Sequence, residues 1–148
     1  MFCGTPPINP PGMGPEILVV DDDPPMCELV AIILRDAGYR PTVSLHPEHA
    51  LGLYAEGHRF GLAILDVVMP RMGGEGLAAR LRRDDPDLKV LYLTGYADVL
   101  FQVRPILWEN EAFLEKPFTD HGLLEAVSLL LSGHVRPPSS VGFDETNP

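Results

Sequence analysis

Cysteine is scarce in this chain: Cys3 and Cys27 are the only two among 148 residues. They make no CxxC pair, and no Cys/His grouping has zinc-ligand spacing, so neither a disulfide framework nor a structural zinc site organises the fold. Reduced thiols and a cytoplasmic setting are the expectation. Positive charge is also short. Eleven Lys and Arg face 21 Asp and Glu, a formal net charge of -10. Such a surface repels phosphate backbones and argues against direct DNA or RNA binding, while it suits cations and partners with basic patches. Long hydrophobic runs are missing too. None approaches the roughly 20 residues that span a bilayer. The first residues have no basic start and are interrupted by prolines, unlike a signal peptide. No membrane association is expected.

A hydrophobic content of 45% over 148 residues fits one domain with a real core. Residues 1–15, MFCGTPPINPPGMGP, carry no charged side chain and read as a flexible Pro/Gly-rich arm. Residues 134–148 read as a flexible tail, which leaves a domain over 16–133. Within it two kinds of segment alternate. EILVV (16–20), RPTVSL (40–45), GLAILDVV (61–68), KVLYLTG (89–95) and EAFLEK (111–116) are short apolar runs that read as strands. Pro41 places the second at an edge. After Pro24 and Pro25, which suit a first helical turn, Met26, Leu29, Val30, Ile33 and Ala37 follow helical spacing up to Gly38. Further helices are expected over 47–57, 74–84 and 120–133. Segment 96–110 fits poorly, because Pro105 breaks its second half, and a short or irregular helix is expected there. Aromatic residues such as Tyr92, Phe101 and Trp108 are read as core rather than output surface.

Five βα repeats with near-continuously apolar strands imply a doubly wound α/β domain. Its parallel five-stranded sheet is expected in order 2-1-3-4-5, with two helices on one face and three on the other. Ligands in such sheets bind beyond the carboxyl ends of the strands. Asp21 and Asp22 follow the first strand, Asp66 the third, Thr94 the fourth and Lys116 the fifth. Each alone has an ordinary explanation as a cap, a turn or an exposed side chain. Together they occupy one rim. Three carboxylates there would be costly without a cation, and hard oxygen ligands suit Mg²⁺. A cation, an ammonium and a hydroxyl around one carboxylate make a receiver for a phosphoryl group.

The motifs VVDDD (19–23), LDVVMPRMGG (65–74), LTGYAD (93–98) and FLEKPF (113–118) stand in the same order as in a known family. Over about residues 16 to 132 the chain resembles the receiver domain of two-component response regulators. That resemblance implies a CheY-like, flavodoxin-like (βα)5 fold and a phosphorelay function. Asp66 would be the phosphoacceptor. Asp22, Asp66 and the Val68 backbone carbonyl would ligate Mg²⁺ directly, and Asp21 through water. Lys116 would contact phosphoryl oxygens and form a cis peptide with Pro117. Thr94 and Phe113 would be the switch pair. The donor would be a histidine kinase or phosphotransfer protein, the output a changed protein-binding face, and a homodimer is left open.

The chain departs from the family pattern in three places. Position 113 is Phe where many relatives carry Tyr, Pro105 disturbs the usual fourth helix, and Val68 and Tyr96 are bulky where hydrolytic water would approach. The chain is expected to act as a self-phosphorylating acceptor with autophosphatase capacity rather than as a turnover enzyme. A Mg²⁺-dependent aspartyl phosphatase would want a carboxylate at the place of Val68. A degenerate, phosphorylation-independent interaction module is the alternative, although no acidic or basic site residue is missing. The length after residue 133 leaves no room for a DNA-binding output domain. A single-domain regulator or a receiver excised from a hybrid kinase is therefore expected.

Overall fold

Short runs of Val, Ile and Leu that stop at charged or hydroxyl residues build one sheet. The computed structural model describes residues 14–95 and 110–132. Strands β1 (Glu16–Val20), β2 (Arg40–Ser44), β3 (Leu62–Asp66), β4 (Lys89–Thr94) and β5 (Glu111–Glu115) are interleaved with four helices among these residues. The helices are α1 (Pro24–Asp36), α2 (Pro47–Ala55), α3 (Gly74–Leu81) and α4 (Asp120–Ser132). All pairings are parallel and the order is β2-β1-β3-β4-β5. Pro41 stands in the edge strand, where its missing N–H costs least. The irregular helix expected around Pro105 lies outside the described residues apart from Asn110. So do Tyr96, Phe101, Trp108, Cys3 and the tail.

Side chains of successive strand residues pack on opposite faces. Leu18, Val20, Ala63, Leu65, Val90 and Tyr92 meet α2 and α3 through residues such as Tyr54, Leu77 and Leu81. Ile17, Val19, Leu62, Ile64, Leu91 and Leu93 meet α1 and α4 through residues such as Val30, Leu34, Leu123 and Val127. Two described helices therefore cover each face, and the expected third helix on one face falls in the segment not described. Tyr92 is core, as expected, with no exposed surface.

The first helix corrects the sequence reading. Its buried stripe is Cys27, Val30, Ala31, Ile33 and Leu34, whereas Leu29 is 47% exposed and Ile32 48%. The helix is apolar nearly all round, so periodicity alone did not single out the face, and the i, i+3, i+4, i+7 series from Cys27 is the one that meets the sheet. Asp23 is the N-cap but makes no side-chain cap bond. Pro24 and Pro25 have removed two of the N–H groups at that end, including the N2 donor a cap would use. Gly38, with φ 98°, ends the turn after α1 in a conformation that glycine adopts without strain. At the start of the chain, Gly14 and Pro15 are attached to the domain rather than part of a free arm. The Gly14 N–H donates to Gly38 O at 3.1 Å, Arg40 Nε donates to Gly14 O at 2.7 Å, and the Arg40 N–H donates to Pro15 O at 3.1 Å.

Candidate functional site

The carboxyl ends of β1, β3, β4 and β5 form one rim, because these four strands are consecutive neighbours in the sheet. Backbone bonds hold the rim in register. The Asp21 N–H donates to Ser44 O at 3.3 Å, the Val67 N–H to Leu93 O at 3.1 Å, and the Lys116 N–H to Thr94 O at 2.8 Å. Asp21, Asp66 and Thr94 are buried, while Asp22 is exposed. Oxygens of Asp21, Asp22 and Asp66 lie within 4.8 Å of one another. Lys116 Nζ reaches over the cluster, 3.3 Å from Asp21 Oδ2 and 3.5 Å from Asp66 Oδ1. The Lys116–Pro117 peptide is cis.

The electrostatics follow from this crowding. Burial, then the neighbouring charge of Asp21, pushes the Asp66 carboxyl up to about 6. Lys116 and the Val68 N–H, which donates to Asp66 Oδ1 at 3.4 Å, pull the other way but do not win. Lys116 itself is raised: burial lowers it, and the Asp21 and Asp66 carboxylates outweigh burial. One ammonium thus faces a cluster of three carboxylates. A divalent cation would relieve the remaining repulsion, and a set of hard oxygen donors open to solvent through Asp22 fits such an ion. Val68, two residues beyond Asp66, is 48% exposed at the mouth of the site.

Thr94 ends β4, and Phe113 lies on β5 two residues before Glu115, the register partner of Thr94. Phe113 is the register partner of Tyr92, so Tyr92, Thr94 and Phe113 share the sheet face covered by α2 and α3. Each candidate site residue from the sequence, Asp21, Asp22, Asp66, Val68, Thr94, Phe113 and Lys116, therefore stands at or next to this rim.

Two supports were not foreseen. Cys27 Sγ, in the first turn of α1, donates to Asp21 O at 3.2 Å, and Asp23 N–H donates to Asp21 Oδ1 at 3.0 Å, so the acidic loop is held from both sides. Burial, followed by the charge of Asp21, pushes the Cys27 thiol up to about 11, which keeps it a neutral donor. Gly74, the first residue of α3, lies against the acceptor loop. A Cβ there would stand 2.5 Å from Asp66 O. The double glycine in MPRMGG was its only visible signal, whereas nothing in the sequence marks Cys27 as a partner of Asp21.

A family model described as the response regulator receiver domain matches residues 17–128. The chain is 32% identical over 117 residues to the response regulator receiver protein CpdR of Brucella abortus, covering 78% of this chain and 95% of CpdR. It is also 32% identical over 135 residues to RpaA of Synechocystis, described as a DNA-binding dual master transcriptional regulator. That match covers 88% of this chain but 55% of RpaA, so this chain spans about half the length of that relative. Among solved structures, a response regulator receiver protein from Sinorhizobium medicae superposes with a TM-score of 0.73 at 26% identity. The match covers 83% of this chain and 98% of that one.

Proposed function

We propose a function from one premise: the chain belongs to the response regulator receiver family. Asp66 accepts a phosphoryl group from a phosphohistidine on a histidine kinase or phosphotransfer protein, and the phosphorylated chain presents an altered protein-binding surface. The observation that carries this reading is the raised, buried Asp66 carboxylate with two more carboxylates within 4.8 Å and the Lys116 ammonium 3.5 Å away.

Asp66, in its ionised form, attacks phosphorus in line. The P–N bond to the donor imidazole breaks, and its electron pair stays on that nitrogen, which takes up a proton from water. Lys116 follows the charge from carboxylate to phosphoryl oxygen without changing protonation state. Asp22, Asp66 and the Val68 carbonyl are the residues that would hold Mg²⁺, with Asp21 acting through water. Mg²⁺, when bound, offsets negative charge on the transferring group. Thr94 offers its hydroxyl to the new oxygens, and Phe113 repacks beside it. The chain is an acceptor that turns over only by hydrolysis of its own acyl phosphate. It acts as a single-domain regulator or as the receiver part of a longer protein, and it contacts proteins rather than nucleic acid. No observation favours the degenerate-module alternative.

Beryllofluoride, a tetrahedral mimic of a phosphoryl group on a carboxylate, tests the site without a kinase. With Mg²⁺ present, ¹⁹F NMR of the wild type should give protein-bound resonances that vanish with EDTA and in Asp66→Ala. Bound signals surviving in Asp66→Ala would refute Asp66 as the acceptor.

A further inference from the structure

At the opposite end of β5 from the phosphoryl site lies a buried polar cluster that the receiver chemistry does not use. The Tyr92 hydroxyl donates to Glu111 Oε2 at 2.9 Å, deep in the core. The Arg82 guanidinium forms an ion pair with the same carboxylate oxygen, whose side chain has no exposed surface. Arg82 caps α3, and its Nε and Nη2 donate to Leu88 O at 3.1 and 2.7 Å, closing the turn between α3 and β4. Nη2 also reaches Asn110 O at 3.5 Å, next to the start of β5.

The placement of this cluster is more informative than its stability. A buried carboxylate that loses one of its donors is costly, so the positions of Tyr92, Glu111 and Arg82 are coupled. Tyr92 is two residues below Thr94 on one face of β4. It is the register partner of Phe113 across β5, and it packs in the same core cluster. A shift of Phe113 would therefore alter the packing of the cluster that Tyr92 occupies. The Tyr92 hydroxyl then moves with its carboxylate acceptor, and that acceptor holds the guanidinium that closes the turn over residues 82–88.

We infer that Tyr92, Glu111 and Arg82 form a buried relay that carries the state of the Thr94–Phe113 switch to the α3–β4 turn, making residues 82–88 a second responsive surface. Arg82 and Tyr92 are positioning residues in this relay and touch no phosphoryl oxygen. The inference rests on the receiver reading above. It differs from a purely structural brace in one respect: a brace stabilises both states alike, whereas a relay makes the turn respond to the acceptor site.

Hydrogen–deuterium exchange on the full chain, with and without beryllofluoride and Mg²⁺, separates the two. In the wild type, peptides over 66–74 should change on ligand addition, and peptides over 82–88 should change with them by about twofold or more in exchange rate. Tyr92→Phe removes one hydroxyl and leaves the ring. Arg82→Lys keeps the charge and loses the fork. Both variants should keep the response at 66–74 and lose that at 82–88. A wild type whose 82–88 peptides ignore the ligand while 66–74 responds would overturn the relay. So would variants in which the 82–88 response persists. No response at 66–74 in the wild type would overturn the receiver reading and the relay together.

Discussion

Asp66 is held in a setting that penalises its charge. Its carboxyl is pushed up to about 6, first by burial and then by Asp21. Between the ordinary aspartate value near 4 and that raised value, the folded chain keeps a proton that the unfolded chain has released. Stability of the metal-free protein should therefore fall as pH rises through this window. In urea melts with EDTA, Asp66→Asn should match the wild type near pH 4 and exceed it at pH 7 by about 1–2 kcal/mol, less than full linkage because the rim faces water. An Asn variant no more stable at pH 7 than at pH 4, relative to wild type, would contradict this. Saturating Mg²⁺ should reverse the order, since at 100 times Kd a ligand adds about 2.7 kcal/mol. Val68, half exposed two residues beyond Asp66, would shield an acyl phosphate formed there from water. Val68→Asn should shorten the phosphoryl lifetime by about two- to tenfold, equivalent to about 0.4–1.4 kcal/mol of barrier. An unchanged or longer lifetime would remove Val68 from that role. The acidic triad was legible because Asp21 and Asp22 follow β1 directly and Asp66 ends β3. The Cys27 donor was not, because its bond to Asp21 O depends on where α1 comes to rest.

Helix α1 shows what periodicity could and could not convey about an element. Its start at Pro24 and its end before Gly38 were readable from residues with fixed backbone preferences. Its buried face was not, because Leu29, Val30, Ile32, Ile33 and Leu34 offer more apolar surface than one stripe needs. Leu34→Ala, in a fully buried position, should cost about 2–5 kcal/mol in denaturant melts. Leu29→Ala should cost well under about 1 kcal/mol, and equal losses would restore the stripe through Leu29. Helix α3 is positioned by a glycine. Gly74→Ala sets a Cβ against Asp66 O, a backbone atom that cannot swing aside. It should lower stability by about 1–3 kcal/mol and slow phosphoryl acceptance, whereas Gly76→Ala, whose nearest neighbour is the Met72 side chain at 3.4 Å, should leave acceptance unchanged.

Across the whole molecule, the topology was the most legible feature. Five apolar runs of strand length, separated by helical patterns, admit few parallel arrangements, and the proline in the second run marked the edge. That order is also what gathers residues as far apart as Asp21 and Lys116 within 3.3 Å. The polar wedge of Arg82, Glu111 and Tyr92 was hidden, because its members come from three elements and look like ordinary surface charges and a core aromatic. Among the described residues no helix is long and apolar enough to cross a membrane. Intact-mass spectrometry after incubation with Mg²⁺ and a small acyl-phosphate donor asks whether this rim takes a phosphoryl group on Asp66. A single phosphoryl adduct is expected on the wild type, absent with EDTA and absent in Asp66→Ala. An adduct that persists in Asp66→Ala, or a wild type that takes none from either the small donor or a phosphorylated histidine kinase, would contradict phosphoryl acceptance on Asp66.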